Sequence, residues 1–215
     1  MSGPRGGAAL PRPFDDRSVV IAGAGCAAGR VLCRGYAAAG ARVVAVDAEE
    51  AATLALARLA PGRIEALALD LTRPAACRRL GDAWAGEPLH VLVDLQPLRD
   101  LTRPAAAMAA AELLVKALAP GLGAGRGRVL IAIPGRAPDE SATAAALHEA
   151  QRRFGPMLDA RLAASGVAVN MIVLPPQPRD GGAPDTTAAL WPMAMALSAP
   201  GATAAGAVVP LGRCA

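Results

Sequence analysis

Three glycines open the chemistry of this chain. Gly23, Gly25 and Gly29 fall in Ala22-Gly23-Ala24-Gly25-Cys26-Ala27-Ala28-Gly29-Arg30, where an apolar run gives way to a helix-like one. Glycine there permits a tight turn and lets a pyrophosphate approach backbone N–H groups at a helix start. Asp47 stands 24 residues beyond Gly23, at the end of the next apolar run. A carboxylate at that place accepts a hydrogen bond from a ribose 2′-hydroxyl and repels a 2′-phosphate, which favours NAD over NADP. Asp70, in Asp70-Leu71-Thr72, ends a third run and could sit over an adenine edge. The plainer alternative is a turn kept for the fold that binds nothing.

The other titratable residues are scattered. His148, Glu149, Asp94 and Asp139 could each move a proton, but no two form a nucleophile–base pair in sequence. A free imidazole titrates near neutrality, so His148 is a candidate donor; its plainer reading is a solvent-facing helix residue. His90, beside Pro88, reads as an edge residue. Cys26, Cys33, Cys77 and Cys214 form no CxxC and have no neighbouring His pair, so no metal site is expected. They read as small buried hydrophobes in a reducing compartment. The single Tyr36 follows Leu32 by one turn on the inward face of a helix, which makes it a core residue.

These residues must be positioned by regular elements. Strands are predicted at Ser18–Ala22, Arg42–Val46, Ile64–Leu69, His90–Val93, Arg128–Ile133, Ala168–Leu174 and Ala207–Leu211. Most are nearly continuous apolar runs, as in a parallel sheet covered on both faces. Helices are predicted between them at Ala27–Ala39, Ala48–Leu59, Pro74–Trp84, Pro104–Leu118, Ala142–Ala164 and Thr187–Leu197. Strand alternating with helix predicts an α/β domain, doubly wound in the Rossmann manner, with a seven-stranded, mostly parallel sheet. The chain reads as unrepeated. Residues 1–17 read as a flexible arm and 18–215 as a single domain. Gly155-Pro156 predicts a kink or break inside the fifth helix, because Pro156 lacks an N–H and crowds the carbonyl four residues back.

Composition sets outer limits. The chain has 215 residues, enough for a full core without disulfides or metals. Only 2% are aromatic, so core bulk must come from Leu, Val and Ile. Of 22 basic residues all but Lys116 are Arg, and they are dispersed rather than clustered. With no basic run and no aromatic platform, nucleic-acid binding is not expected. No uninterrupted apolar run approaches the length of a membrane span, and the first residues lack a signal peptide's apolar stretch. A cytoplasmic protein is expected.

At this point the sequence resembles the short-chain dehydrogenases/reductases, from Ser18 to about Gly212. Their Thr-Gly-x-x-x-Gly-x-Gly turn appears as Ala22-Gly23-x-x-x-Ala27-Ala28-Gly29, with Ala27 in place of the middle glycine. Gly40–Asp47, Leu162–Ile172 (with Val169-Asn170) and Ala205–Gly212 resemble the family's second, sixth and closing strands. The resemblance implies a Rossmann fold that holds NAD(P).

It does not carry the family's chemistry. Its members use a Tyr as general acid/base, a Lys four residues later, a Ser and a relay Asn. A Tyr-x-x-x-Lys pair is impossible here, because Glu112 stands four residues before the only Lys. Counting back from Asn170 by the family's spacing puts Ala144 at the Tyr position and His148 at the Lys position. Pro134 falls at the Ser and Ala107 near the Asn. The Asn-Asn-Ala-Gly after the fourth strand reads Asp94-Leu95-Gln96-Pro97, and the substrate lid between Pro175 and Asp185 reads as trimmed.

The expectation is therefore a catalytically inactive relative acting as a non-catalytic subunit or scaffold. By the resemblance it would associate through helices 104–118 and 142–164, as a homodimer or with an active relative. The alternative is an atypical NAD-dependent oxidoreductase with altered catalytic residues. A third reading is a sensor in which NAD alters the partner surface.

Overall fold

A computed structural model describes residues 12–84, 86–137, 140–176 and 187–212. Seven strands, all parallel, form one sheet in the order β3-β2-β1-β4-β5-β6-β7. They are β1 Ser18–Ala22, β2 Arg42–Asp47, β3 Ile64–Ala68, β4 Val91–Asp94, β5 Arg128–Pro134, β6 Ala168–Leu174 and β7 Val208–Pro210. Six helices connect them: α1 Ala27–Ala38, α2 Glu50–Ala57, α3 Pro74–Ala83, α4 Pro104–Gly125, α5 Ala142–Leu162 and α6 Thr187–Ser198.

Side chains on a strand alternate between faces, so each strand feeds two cores. Val19 and Ile21 of β1 join Leu32 and Tyr36 of α1, Leu56 of α2 and Leu190 of α6 on one face. Val20 and Ala22 join Leu80 of α3, Leu114 and Leu118 of α4 and Leu158 of α5 on the other. Tyr36 is fully buried, edge-on to Phe14 and Trp191, and its hydroxyl is 2.7 Å from Ser198 Oγ.

Three expectations are corrected. The ordered chain begins before Ser18: Arg12–Arg17 form a turn, Phe14 N–H donates to the Ala39 carbonyl, and the Phe14 ring is buried. The arm of residues 1–17 is thus packed from residue 12, while residues 1–11 lie outside the described ones. Second, the break expected at Gly155-Pro156 is absent: α5 continues through Pro156 to Leu162, while Gly155 N–H donates to Met171 Sδ of β6 at 3.2 Å. Third, α4 extends to Gly125 as a 22-residue helix. Its length and mean hydropathy of 1.5 meet those of a membrane span. Here it packs as a core helix, with Leu114, Val115, Leu118 and Leu122 buried under the sheet.

The strand order reverses between β1 and β4. In open parallel sheets the crevice outside the carboxyl ends of such a pair is where ligands bind.

Candidate functional site

A cavity of about 410 Å³ opens at that crevice. Its walls include Gly23 after β1, Asp47 after β2, Asp70 and Thr72 after β3, and Gln96, Arg99, Asp100 and Arg103 after β4. The structure thus brings Gly23, Asp47 and Asp70 together, with Ala107 of α4 at the edge. Gly25 touches Asp47, and Gly29 lies in the first turn of α1.

Packing alone requires all three glycines. Gly23 has φ +70°, and a Cβ there would meet Gln96 N at 2.9 Å. A Cβ on Gly25 would meet Asp47 Oδ2 at 2.9 Å, and one on Gly29 would collide with the Ala24 carbonyl. The turn is tight because β1, β2 and the loop after β4 converge on it. Cys26 caps α1, its sulfur accepting from Gly29 N–H at 3.4 Å.

Asp47 is almost fully buried and densely bonded. Oδ2 accepts from Gly25 N–H at 2.9 Å. Oδ1 accepts from Glu49 N–H at 3.1 Å and from Arg99 Nη2 at 3.3 Å. The last bond reaches across from the loop after β4, so a ribose hydroxyl seeking Asp47 must compete with a guanidinium.

Deeper in the wall, Asp94 is sealed from water and burial pushes its carboxyl up to about 6, opposed by the Gln96 backbone N–H and amide. That N–H donates to Oδ1 at 2.9 Å. Asp94 Oδ2 and Gln96 Nε2 are both buried without a partner in hydrogen-bonding geometry. Gln96 thus stands between the Asp94 carboxyl and the cavity that it lines. Asp47, Asp70 and Gln96 give the cavity a polar wall of the kind that a nucleotide's adenosine end would need.

One feature of the site escaped the sequence reading. Asp70-Leu71-Thr72-Arg73-Pro74-Ala75-Ala76 recurs unchanged at Asp100-Leu101-Thr102-Arg103-Pro104-Ala105-Ala106. Both copies start a helix with Pro at its first turn, and both border the cavity. Thr72 Oγ1 donates to Asp70 Oδ1 at 2.6 Å, and Arg73 Nε to Oδ2 at 3.1 Å. In the second copy the distances are 2.6 Å for Thr102 to Asp100 and 2.6 Å for Arg103 to Asp100. The Thr hydroxyls, then the other bonds, hold both carboxyls below the usual range, Asp100 at about 2. Asp100, Thr102 and Arg103 were legible through that repeat.

The remaining candidates lie apart. Pro134 ends β5, and Ala144 and His148 lie on α5; none lines the cavity. His148 is buried, not solvent-facing, and burial pulls its imidazole below the ordinary value against the opposing charge of Glu140. Glu149 is exposed and pairs with Arg153 at 3.1 Å. Asp139, Cys214 and most of the trimmed lid lie outside the described residues. Among the described residues, no group of three His, Cys, Asp or Glu could hold a metal.

No protein-family model and no curated protein matches the sequence. Solved structures match over nearly the whole chain. A protein described as a short-chain dehydrogenase/reductase from Burkholderia xenovorans superposes with a TM-score of 0.76 at 20% identity, covering 95% of this chain and 100% of that one. The RhlG protein of Pseudomonas aeruginosa, solved as an NADP active-site complex, gives 0.75 at 22% identity, covering 94% and 98%. A hydroxysteroid dehydrogenase from Escherichia coli gives 0.75 at 18% identity, covering 95% and 98%. The fold is that of the short-chain dehydrogenases/reductases.

Proposed function

We propose that this chain is a catalytically inactive relative of the short-chain dehydrogenases/reductases, cytoplasmic, with a retained nucleotide cleft. It acts as a non-catalytic subunit or scaffold. The observation that carries the reading is where its only Tyr and only Lys sit. Tyr36 is sealed in the core of α1, and burial pushes its phenol further from ionisation. Lys116 is exposed on α4 and paired with Glu112 at 2.9 Å. Neither borders the cavity.

NAD, when bound, supplies a hydride acceptor or donor. This chain's residues would bind its adenosine end through Asp47, Asp70 and Gln96. Positioned acid/base groups contribute about 10²–10⁴-fold to such reactions. The groups offered instead are poorly placed for it: Asp94 is sealed, Glu149 is solvated, and His148 does not line the cavity. That weakens the alternative of an atypical oxidoreductase.

Association would run through α4 and α5, by the helix pairs 104–118 and 142–164, with a second copy or an active relative. Exposed Leu113 and Leu147 on these helices support this reading.

Purified protein should show no carbonyl reduction with NADH or NADPH across a panel of ketones and acyl thioesters. Turnover above the blank that His148→Ala abolishes would overturn the proposal.

A further inference from the structure

A second cavity, about 240 Å³, opens at the opposite end of the sheet, where the strands enter. Arg17, His90, Arg126 and Arg128 line it, and none of the described carboxylates does. The register explains the convergence. β1, β4 and β5 are hydrogen-bonded neighbours, and Arg17, His90 and Arg128 stand at their entry ends, aligned to within a residue or two. Arg126 joins them from the end of α4.

Hydrogen bonds orient two of the four side chains. Arg128 Nη2 donates to the Ala202 carbonyl at 2.5 Å, which fixes the guanidinium and leaves its other N–H groups free to bond. His90 Nδ1 accepts from Ser18 N–H at 3.1 Å, so the neutral ring carries its proton on Nε2 and offers a donor. Arg126 holds φ +46°, a left-handed conformation, between Gly125 and Gly127. Glycine is at ease there and arginine is not. Many other arginines in the chain pair with a carboxylate, but none of the described carboxylates lies within salt-bridge distance of Arg17, Arg126 or Arg128. The negative end of the α4 dipole favours a cation at Arg126. It does not account for two more guanidiniums around the same cavity.

We infer that this cavity is a binding site for a small phosphate-bearing anion, separate from the nucleotide cleft. Guanidiniums match phosphate oxygens with paired N–H groups, and three of them offset a multiply charged ion. The volume, about 240 Å³, admits a phosphate or pyrophosphate group.

The test is calorimetric titration of the full chain with inorganic pyrophosphate. Wild-type protein should bind saturably at one site. Arg126→Gly, which also relieves the backbone, and Arg17→Ala should each weaken binding at least tenfold. Arg79→Ala, exposed on α3, should leave it unchanged. Should Arg126→Gly fail to fold, Arg17→Ala decides. The inference is overturned if wild-type protein shows no saturable binding at millimolar pyrophosphate, if binding survives the cavity variants, or if Arg79→Ala weakens it equally.

Discussion

Arg99 Nη2 lies 3.3 Å from Asp47 Oδ1, joining the carboxylate that ends β2 to the loop that follows β4. The Asp47 side chain is only 4% exposed and that of Arg99 36%. The pair bridges the two sides of the crevice, and a ribose diol must displace the guanidinium to reach the acid. Charge-assisted bonds contribute about 1.5–3 kcal/mol, and each ~1.4 kcal/mol is a tenfold change in affinity. Asp47→Ala should therefore weaken NAD binding about tenfold or more, while Arg99→Ala should strengthen it severalfold. Calorimetry on both variants checks this. A loss of affinity in Arg99→Ala would mean that the arginine contacts the nucleotide rather than obstructing it. No heat from wild-type protein at millimolar NAD would remove the cofactor altogether.

Asp94 should leave a mark on stability against pH. Its folded pKa is about 6, raised by burial, against an unfolded value of roughly 3.9. Between these values the folded state holds a proton that the unfolded state has released. Its contribution to stability therefore falls as pH rises through that window, and the full penalty, about 3 kcal/mol, is present above it. Asp94→Asn keeps an acceptor for Gln96 N–H and removes the charge. In urea denaturation the variant's advantage should grow from about pH 4 to 6 and then level off. Parallel profiles for the two proteins would show that Asp94 does not titrate in this range.

The central strands were legible because each buries both faces and so reads as an apolar run: Val19–Ile21 and Val129–Ile133 leave little choice. What tertiary contact decides was not. Nothing local announces that Met171 Sδ will accept the Gly155 N–H, or that α5 will continue past Pro156. Nor does Pro/Arg-rich flanking sequence announce that Phe14 will find the Tyr36 ring. In the site, Gly23, Asp47 and Asp70 were legible from spacing. Arg99 was not, because its bond to Asp47 spans 52 positions and exists only once β1 and β4 lie side by side. The repeated Asp-Leu-Thr-Arg-Pro turn needed no structure, only comparison of the chain with itself.

Association through α4 and α5 can be tested without knowing the partner. Leu113 and Leu147 are each 38% exposed, and Met157 is 59% exposed. Removing apolar surface from water contributes about 25 cal/mol per Å², so a charge placed at such a contact should weaken it strongly. Sedimentation of wild-type protein should show a dimer. Leu113→Arg with Leu147→Arg should shift it to monomer without changing its melting temperature by more than a few degrees. A wild-type monomer would leave pairing with another chain as the surviving form of the proposal. A dimer indifferent to both substitutions would place the interface elsewhere.

Phe14 ties the segment that precedes β1 to the core. Its ring is 1% exposed and lies 5.1 Å, edge-on, from Tyr36, which in turn meets Trp191 at 5.0 Å. Such stacked pairs add about 0.5–1.5 kcal/mol to burial, and Phe→Ala in a core costs roughly 3–5 kcal/mol. Phe14→Ala should lose stability on that scale in urea denaturation. Phe14→Leu, which keeps an apolar side chain but removes the edge-on ring contact with Tyr36, should lose less than Phe14→Ala. A near-neutral Phe14→Ala would instead mean that the turn at 12–17 rests on the domain without contributing to it.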